Sequence, residues 1–171
     1  MLPSTIVRAL TTPAFKPDHF TATQWSTAED KARFANALMK FIAHEFPRQS
    51  FSKTLYQRLS NTFGHIAHYN QDGYYSTFFE HDADKVVFLD QTLRWRCYGD
   101  PTYTFCDVER AVQRRLRAAN VIEVFRMREA DATRKRDLDA LARLQAKYGA
   151  NREPPSSSPQ TSPPRAHLFA A

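Results

Sequence analysis

The sequence is poor in glycine, in cysteine and in long apolar runs, and each shortage excludes a class of protein. Four Gly among 171 residues are too few for an all-β chain, which needs many tight turns with positive φ. Scattered as they are, they build no G-x-G-x-x-G or G-x-x-x-x-G-K phosphate loop, and no G-x-S-x-G nucleophile elbow is present. Cys97 and Cys106 are the only cysteines, which excludes a disulfide scaffold; both are expected as small hydrophobes in a reducing, cytoplasmic setting. No apolar run approaches the roughly 18 residues that a membrane-spanning helix needs, and no basic segment followed by a long apolar stretch opens the chain. Neither membrane insertion nor a cofactor is expected, and catalysis is not.

What is abundant is positive charge, and it is unevenly placed. Residues 1–93 carry 9 basic and 9 acidic side chains, residues 94–152 carry 14 and 8, and residues 153–171 one of each. The whole net charge of +6 therefore lies in one stretch, where it draws polyanions to one part of the surface without bearing on the fold.

Periodicity predicts a mainly α protein: one compact helical domain of about five helices over 26–148, with at most a small β element. An extended, proline-bearing arm precedes it over 1–25 and a disordered Pro/Ser-rich tail follows over 149–171. Ile6, Val7, Leu10, Phe15 and Trp25 of the arm are candidates to lie against the body. Ser26 and Glu29 have capping-box spacing at the head of a helix over 27–46 that ends at Pro47. Further helices are predicted over 53–69, over 83–95 with Asp82 or Asp84 as cap, and over 105–119. Residues 74–79 and 121–127 read equally as strand or helix, and 128–148 is a strong helix former with Leu138, Leu141, Leu144 and Tyr148 on one side.

Three sites stand out. On the helix over 105–119, Phe105, Val108, Val112, Leu116 and Ala119 fall on one side, and Arg110, Arg114 and Arg117 fall together on the other. With Arg126, Arg128, Arg134, Lys135 and Arg136 they form a candidate nucleic-acid surface, in a helix-turn-helix or winged arrangement of the helices over 83–95 and 105–119. A compact unit of that kind has a connection of about three or four residues, whereas RCYGDPTY intervenes here. A solvated arginine face is the plainer alternative.

Second, 12 of the 22 aromatic residues lie between positions 56 and 105. Tyr74, Tyr75, Arg94, Trp95, Arg96 and Tyr98 are candidates for base stacking or for contact with an acidic protein partner or a second copy of the chain. Third, His65, His68 and Asp72 share one polar side of the helix over 53–69 extended by a turn. They are candidate metal ligands for a hydrolase, against the plainer alternative of a hydrogen-bonded surface cluster. The favoured expectation is a non-enzymatic nucleic-acid-binding protein. An adaptor or inhibitor of an acidic protein comes second and a metal-dependent hydrolase third.

Overall fold

A computed structural model describes residues 1–63 and 70–149, and among them are seven α-helices and no strand. The helices are α1 (Ser4–Thr11), α2 (Ala28–Ala43), α3 (Lys53–Phe63), α4 (Gln71–Phe78), α5 (Asp82–Arg94), α6 (Cys106–Ala119) and α7 (Val121–Gly149). The mainly helical class is thus as expected. Both segments read as strand or helix are helical: 74–79 falls in and just after α4, and 121–127 opens α7. In α7 the β-branched residues obey a helical rather than an alternating period, since Val121, Ile122 and Phe125 are buried. Among the described residues no helix is long and apolar enough to cross a membrane.

Two compact units divide after Ala132. The first, Met1–Ala132, contains α1 to α6 and the start of α7. In the second, which begins at Thr133, the side chains of 133–148 are exposed, including Leu138, Leu141, Leu144 and Tyr148. The tail from residue 150 lies outside the described residues.

Helix α2 is the centre of the first unit because its apolar residues recur at three- and four-residue spacing: Phe34, Ala35, Leu38, Met39 and Ile42 are all buried. Its capping box is Thr27 with Asp30, one residue later than the Ser26 and Glu29 spacing suggests. Ser26 is otherwise engaged: its backbone carbonyl closes a turn with Thr23 and its hydroxyl accepts from Arg58. The helix ends in a Schellman turn, with Phe46 N donating to Phe41 O (2.8 Å) and Glu45 N to Ile42 O (2.9 Å). Glu45 and Phe46 take positive φ there, and the turn drives the Phe46 ring into the core. That ring stacks on Phe79 at 4.9 Å and touches Phe41, Phe88 and Phe125. The Tyr75 hydroxyl donates to Phe46 O at 2.7 Å. Helix α5 starts after His81, and Asp82, read from the sequence as a possible cap, pairs instead with Lys85 at 2.8 Å.

The first 25 residues differ from the extended arm that the sequence suggests. They are not an extended arm, because Ser4–Thr11 is helical and Leu2, Leu10, Phe15 and Phe20 are buried in the common core. Asn36 in α2 holds the backbone of Phe15 in both directions, accepting from its N–H and donating to its carbonyl, each at 2.8 Å. Arg115 of α6 lies 3.6 Å over the Phe15 ring and donates to Leu10 O at 3.3 Å, completing the carbonyl end of α1. The prolines that stop a long helix here leave α1 short without detaching it.

Candidate functional site

Residues 95–105, between α5 and α6, are irregular in backbone but tightly held. Lys31 of α2 is fully buried, and its ammonium donates to Pro101 O (2.8 Å), Thr104 O (2.9 Å) and the Asp107 carboxylate (3.0 Å), satisfying all three of its protons. Asp107 also accepts from Thr21 N at 2.9 Å, so the same carboxylate anchors the N-terminal segment. Gln113 of α6 caps α5, donating to Thr92 O (3.0 Å) and Trp95 O (2.6 Å). Gly99 turns the segment with φ +101°, and a side chain there would press on Thr104 at 3.0 Å.

What this segment presents is aromatic. Trp95, Tyr98 and Tyr103 border a cleft of about 440 Å3 together with Trp25, Arg58, Asn61, Arg96 and Glu109. Tyr98 is 70% exposed, Tyr103 64%, Trp25 71% and Trp95 37%, so none of these rings is spent on the core. Trp25 sits at the tip of a turn closed by Thr23, whose hydroxyl accepts from Trp25 N (3.1 Å) and Ser26 N (2.9 Å). Arg58 lies 5.3 Å from the Phe105 ring and donates to the Ser26 hydroxyl at 3.1 Å, which fixes a guanidinium at the wall.

Glu109 is the one nearly buried carboxyl in this lining, 7% exposed. Burial lifts its pKa above the usual glutamate range, partly opposed by hydrogen bonds from the Cys97 and Trp95 side chains and by the charge of Arg110. The Cys97 thiol is pushed up to about 11, by burial first and then by its hydrogen bond to Glu109 and that residue's charge. A thiol held protonated in this way is no nucleophile.

Arg110, Arg114 and Arg117 lie exposed on α6, along the face that borders the 95–105 segment. Arg117 donates to Leu93 O at 2.5 Å and Arg110 to Cys97 O at 3.4 Å, which ties the arginine row to the end of α5 and to the aromatic segment. Two arginines of the row thus bond the backbone on either side of Trp95 and Arg96 in the chain. Arg94 pairs with Asp90 at 3.1 Å.

Other members do not join it as free charge. Arg126 pairs with Glu123 and Asp90, and Arg128 forms a two-pronged pair with Glu45 at 2.8 and 3.1 Å. Arg134, Lys135 and Arg136 are exposed residues of the second unit. The winged-helix variant of the sequence reading lacks its strand, because 121–127 is helical. The connection between α5 and α6 also exceeds the short turn of a compact helix-turn-helix.

Tyr74 is corrected as well: it is fully buried, stacked with Phe51 at 5.9 Å and near Phe78 at 4.7 Å, so it belongs to the core and cannot stack on a base. Tyr75 is half-buried beneath the Arg48 guanidinium. Of the candidate metal ligands, His65 and His68 lie outside the described residues, and Asp72 pairs with Arg48. No group of three or more metal-ligating side chains occurs among the described residues.

Trp25, Arg58, Tyr103 and Glu109 were not singled out as site residues by the sequence. One signal was present: Glu109 and Gln113 stand four apart beside the apolar stripe of α6, and both are buried. No family model, no curated protein and no solved structure matches the chain.

Proposed function

We propose that the protein is a non-enzymatic binder of single-stranded nucleic acid. The observation that carries this reading is the gathering of four exposed rings, Trp25, Trp95, Tyr98 and Tyr103, around one cleft that also holds Arg58 and Arg96. Every base has a π-face, and stacking on an aromatic side chain contributes about 1–3 kcal/mol per base. Exposed rings of this kind suit unpaired bases, which a duplex keeps stacked on one another.

Arg110, Arg114 and Arg117, exposed on the helix that carries the cleft residue Glu109, supply the phosphate contacts, and Arg96 does so in the cleft lining itself. Irregular backbone held by Lys31 and Gln113 keeps the rings in place before ligand arrives, which lowers the ordering cost of binding. This reading places the protein in the cytoplasm, where the free thiols of Cys97 and Cys106 stay reduced.

The test is fluorescence anisotropy of nuclease-treated protein with labelled single-stranded and duplex DNA and RNA, at about 50 and 200 mM salt. Binding that prefers single strands, weakens steeply with salt and is lost in an Arg110/Arg114/Arg117→Glu variant supports the reading. No binding at the lower salt overturns it and directs attention to an acidic protein partner for the same surface.

A further inference from the structure

Resting on the single-strand reading, we infer that the cleft between the 95–105 segment and Trp25 accepts one unstacked base, and that the Glu109 carboxylate at its lining selects guanine. An ionised carboxylate only accepts, through two oxygens with about four lone-pair sites. The Cys97 and Trp95 side chains donate to Glu109, leaving it acceptor capacity. Glu109 also lines the cleft beside the aromatic rings.

Guanine is the base whose Watson–Crick edge places two donors, N1–H and the N2 amino group, side by side to match the two oxygens of a carboxylate. Adenine and cytosine offer one amino donor beside a ring acceptor that would face carboxylate oxygen. Uracil offers one N–H flanked by two carbonyls. Those three supply at most one donor or set an acceptor against carboxylate oxygen, which is what makes a polar pocket selective.

The remaining lining fits the same ligand. A volume of about 440 Å3 lies in the range of small-molecule pockets, roughly 300–1,000 Å3. Tyr98, Tyr103, Trp25 and Trp95 offer faces for a purine, and the guanidinium groups of Arg58 and Arg96 lie in the same wall for its carbonyl or the adjoining phosphate. Trp25 contributes from a separate turn, so the base would be enclosed from two sides of the chain.

The experiment compares the affinity of the full chain for a labelled eight-nucleotide uridine strand with that for strands carrying one central G, A or C. The G strand is expected to bind about tenfold more tightly than the others, the discrimination of one two-pronged base contact, and Glu109→Gln is expected to bring that ratio to near one. A second measurement needs no variant: GMP should displace the strand at concentrations where AMP, CMP and UMP do not. Equal affinity for all four strands with equal displacement by all four nucleotides overturns the inference and leaves single-strand binding standing, as does a G preference that survives in folded Glu109→Gln. Failure of every strand to bind overturns both.

Discussion

Lys31 and Asp107 join two parts of the chain 76 residues apart through a contact of 3.0 Å between Nζ and Oδ1, with the lysine side chain fully buried. Two carbonyls of the 95–105 segment complete the ammonium's shell, so one side chain both neutralises Asp107 and pins the rim that carries Tyr98 and Tyr103. A buried pair contributes little net stability against an apolar replacement of both partners, but removing one partner strands the other. Lys31→Met is therefore expected to cost about 3 kcal/mol. The measurement is urea denaturation, and a loss under about 1 kcal/mol would show that the segment holds without it.

The N-terminal residues are predicted to be part of the folding unit. Leu10 is fully buried and Arg115 closes the carbonyl end of its helix, so Leu10→Ala should cost about 3 kcal/mol. An arm merely lying on the surface would give a change of a few tenths. Thermal melts of the full chain and the variant separate the two.

Tyr74 offers a substitution in the opposite direction. Its hydroxyl is buried and has no hydrogen-bond partner, and burial drives its pKa far above the ordinary tyrosine range. Tyr74→Phe keeps the ring stack with Phe51 and discards the unpaired oxygen, so a gain of about 1 kcal/mol is expected. Loss of stability on this change would mean that the hydroxyl is paired in solution.

The fold was largely legible because it is written in period: the buried stripes of α2 and α6 follow their three- and four-residue spacing, and α5 falls within a residue of its predicted limits. What period does not carry is long-range pairing. Nothing local marks Lys31 as buried, since its partners lie at positions 101, 104 and 107. The same limit applies to Arg126 and Arg128, which look like free basic charge until Asp90 and Glu45 are brought to them. Tyr74 and Tyr75 show it again, because adjacent aromatics on α4 divide between the core and the Phe46 carbonyl. The Trp95, Arg96 and Tyr98 part of the candidate site was readable from composition, whereas Trp25 arrives from a turn some 70 positions away in sequence.

The pair of Glu45 with Arg128 predicts a pH dependence. Burial alone would raise the Glu45 pKa, but hydrogen bonds from Arg128 and the Met1 ammonium, with their charges, outweigh it and hold it below the usual glutamate value. The unfolded chain then takes up this proton before the folded one as pH falls. The contribution to stability is therefore complete above the ordinary glutamate pKa and lost as pH drops through the lower folded value. Between about pH 5 and pH 3 the melting temperature of the parent protein should fall more steeply than that of Glu45→Gln. Parallel curves would show that the pair is screened in solution.

On the single-strand reading, the arginine row on α6 would divide into a residue that serves the ligand alone and one that also serves the fold. Arg117 donates to Leu93 O and so completes the carbonyl end of α5, where a cation is favoured by the helix dipole. Arg117→Ala is expected to cost about 0.5–1 kcal/mol of stability as well as affinity for single strands. Arg114 is exposed in the middle of the row, so Arg114→Ala should leave the melting temperature unchanged while weakening binding. Each lost phosphate contact lowers the slope of log affinity against log salt by about 0.7, and an Arg110/Arg114/Arg117→Ala variant, which removes the charges without reversing them, should therefore lose about 2. A uniform loss of affinity with an unchanged slope would remove the row from the phosphate contacts and leave binding to the aromatic cleft.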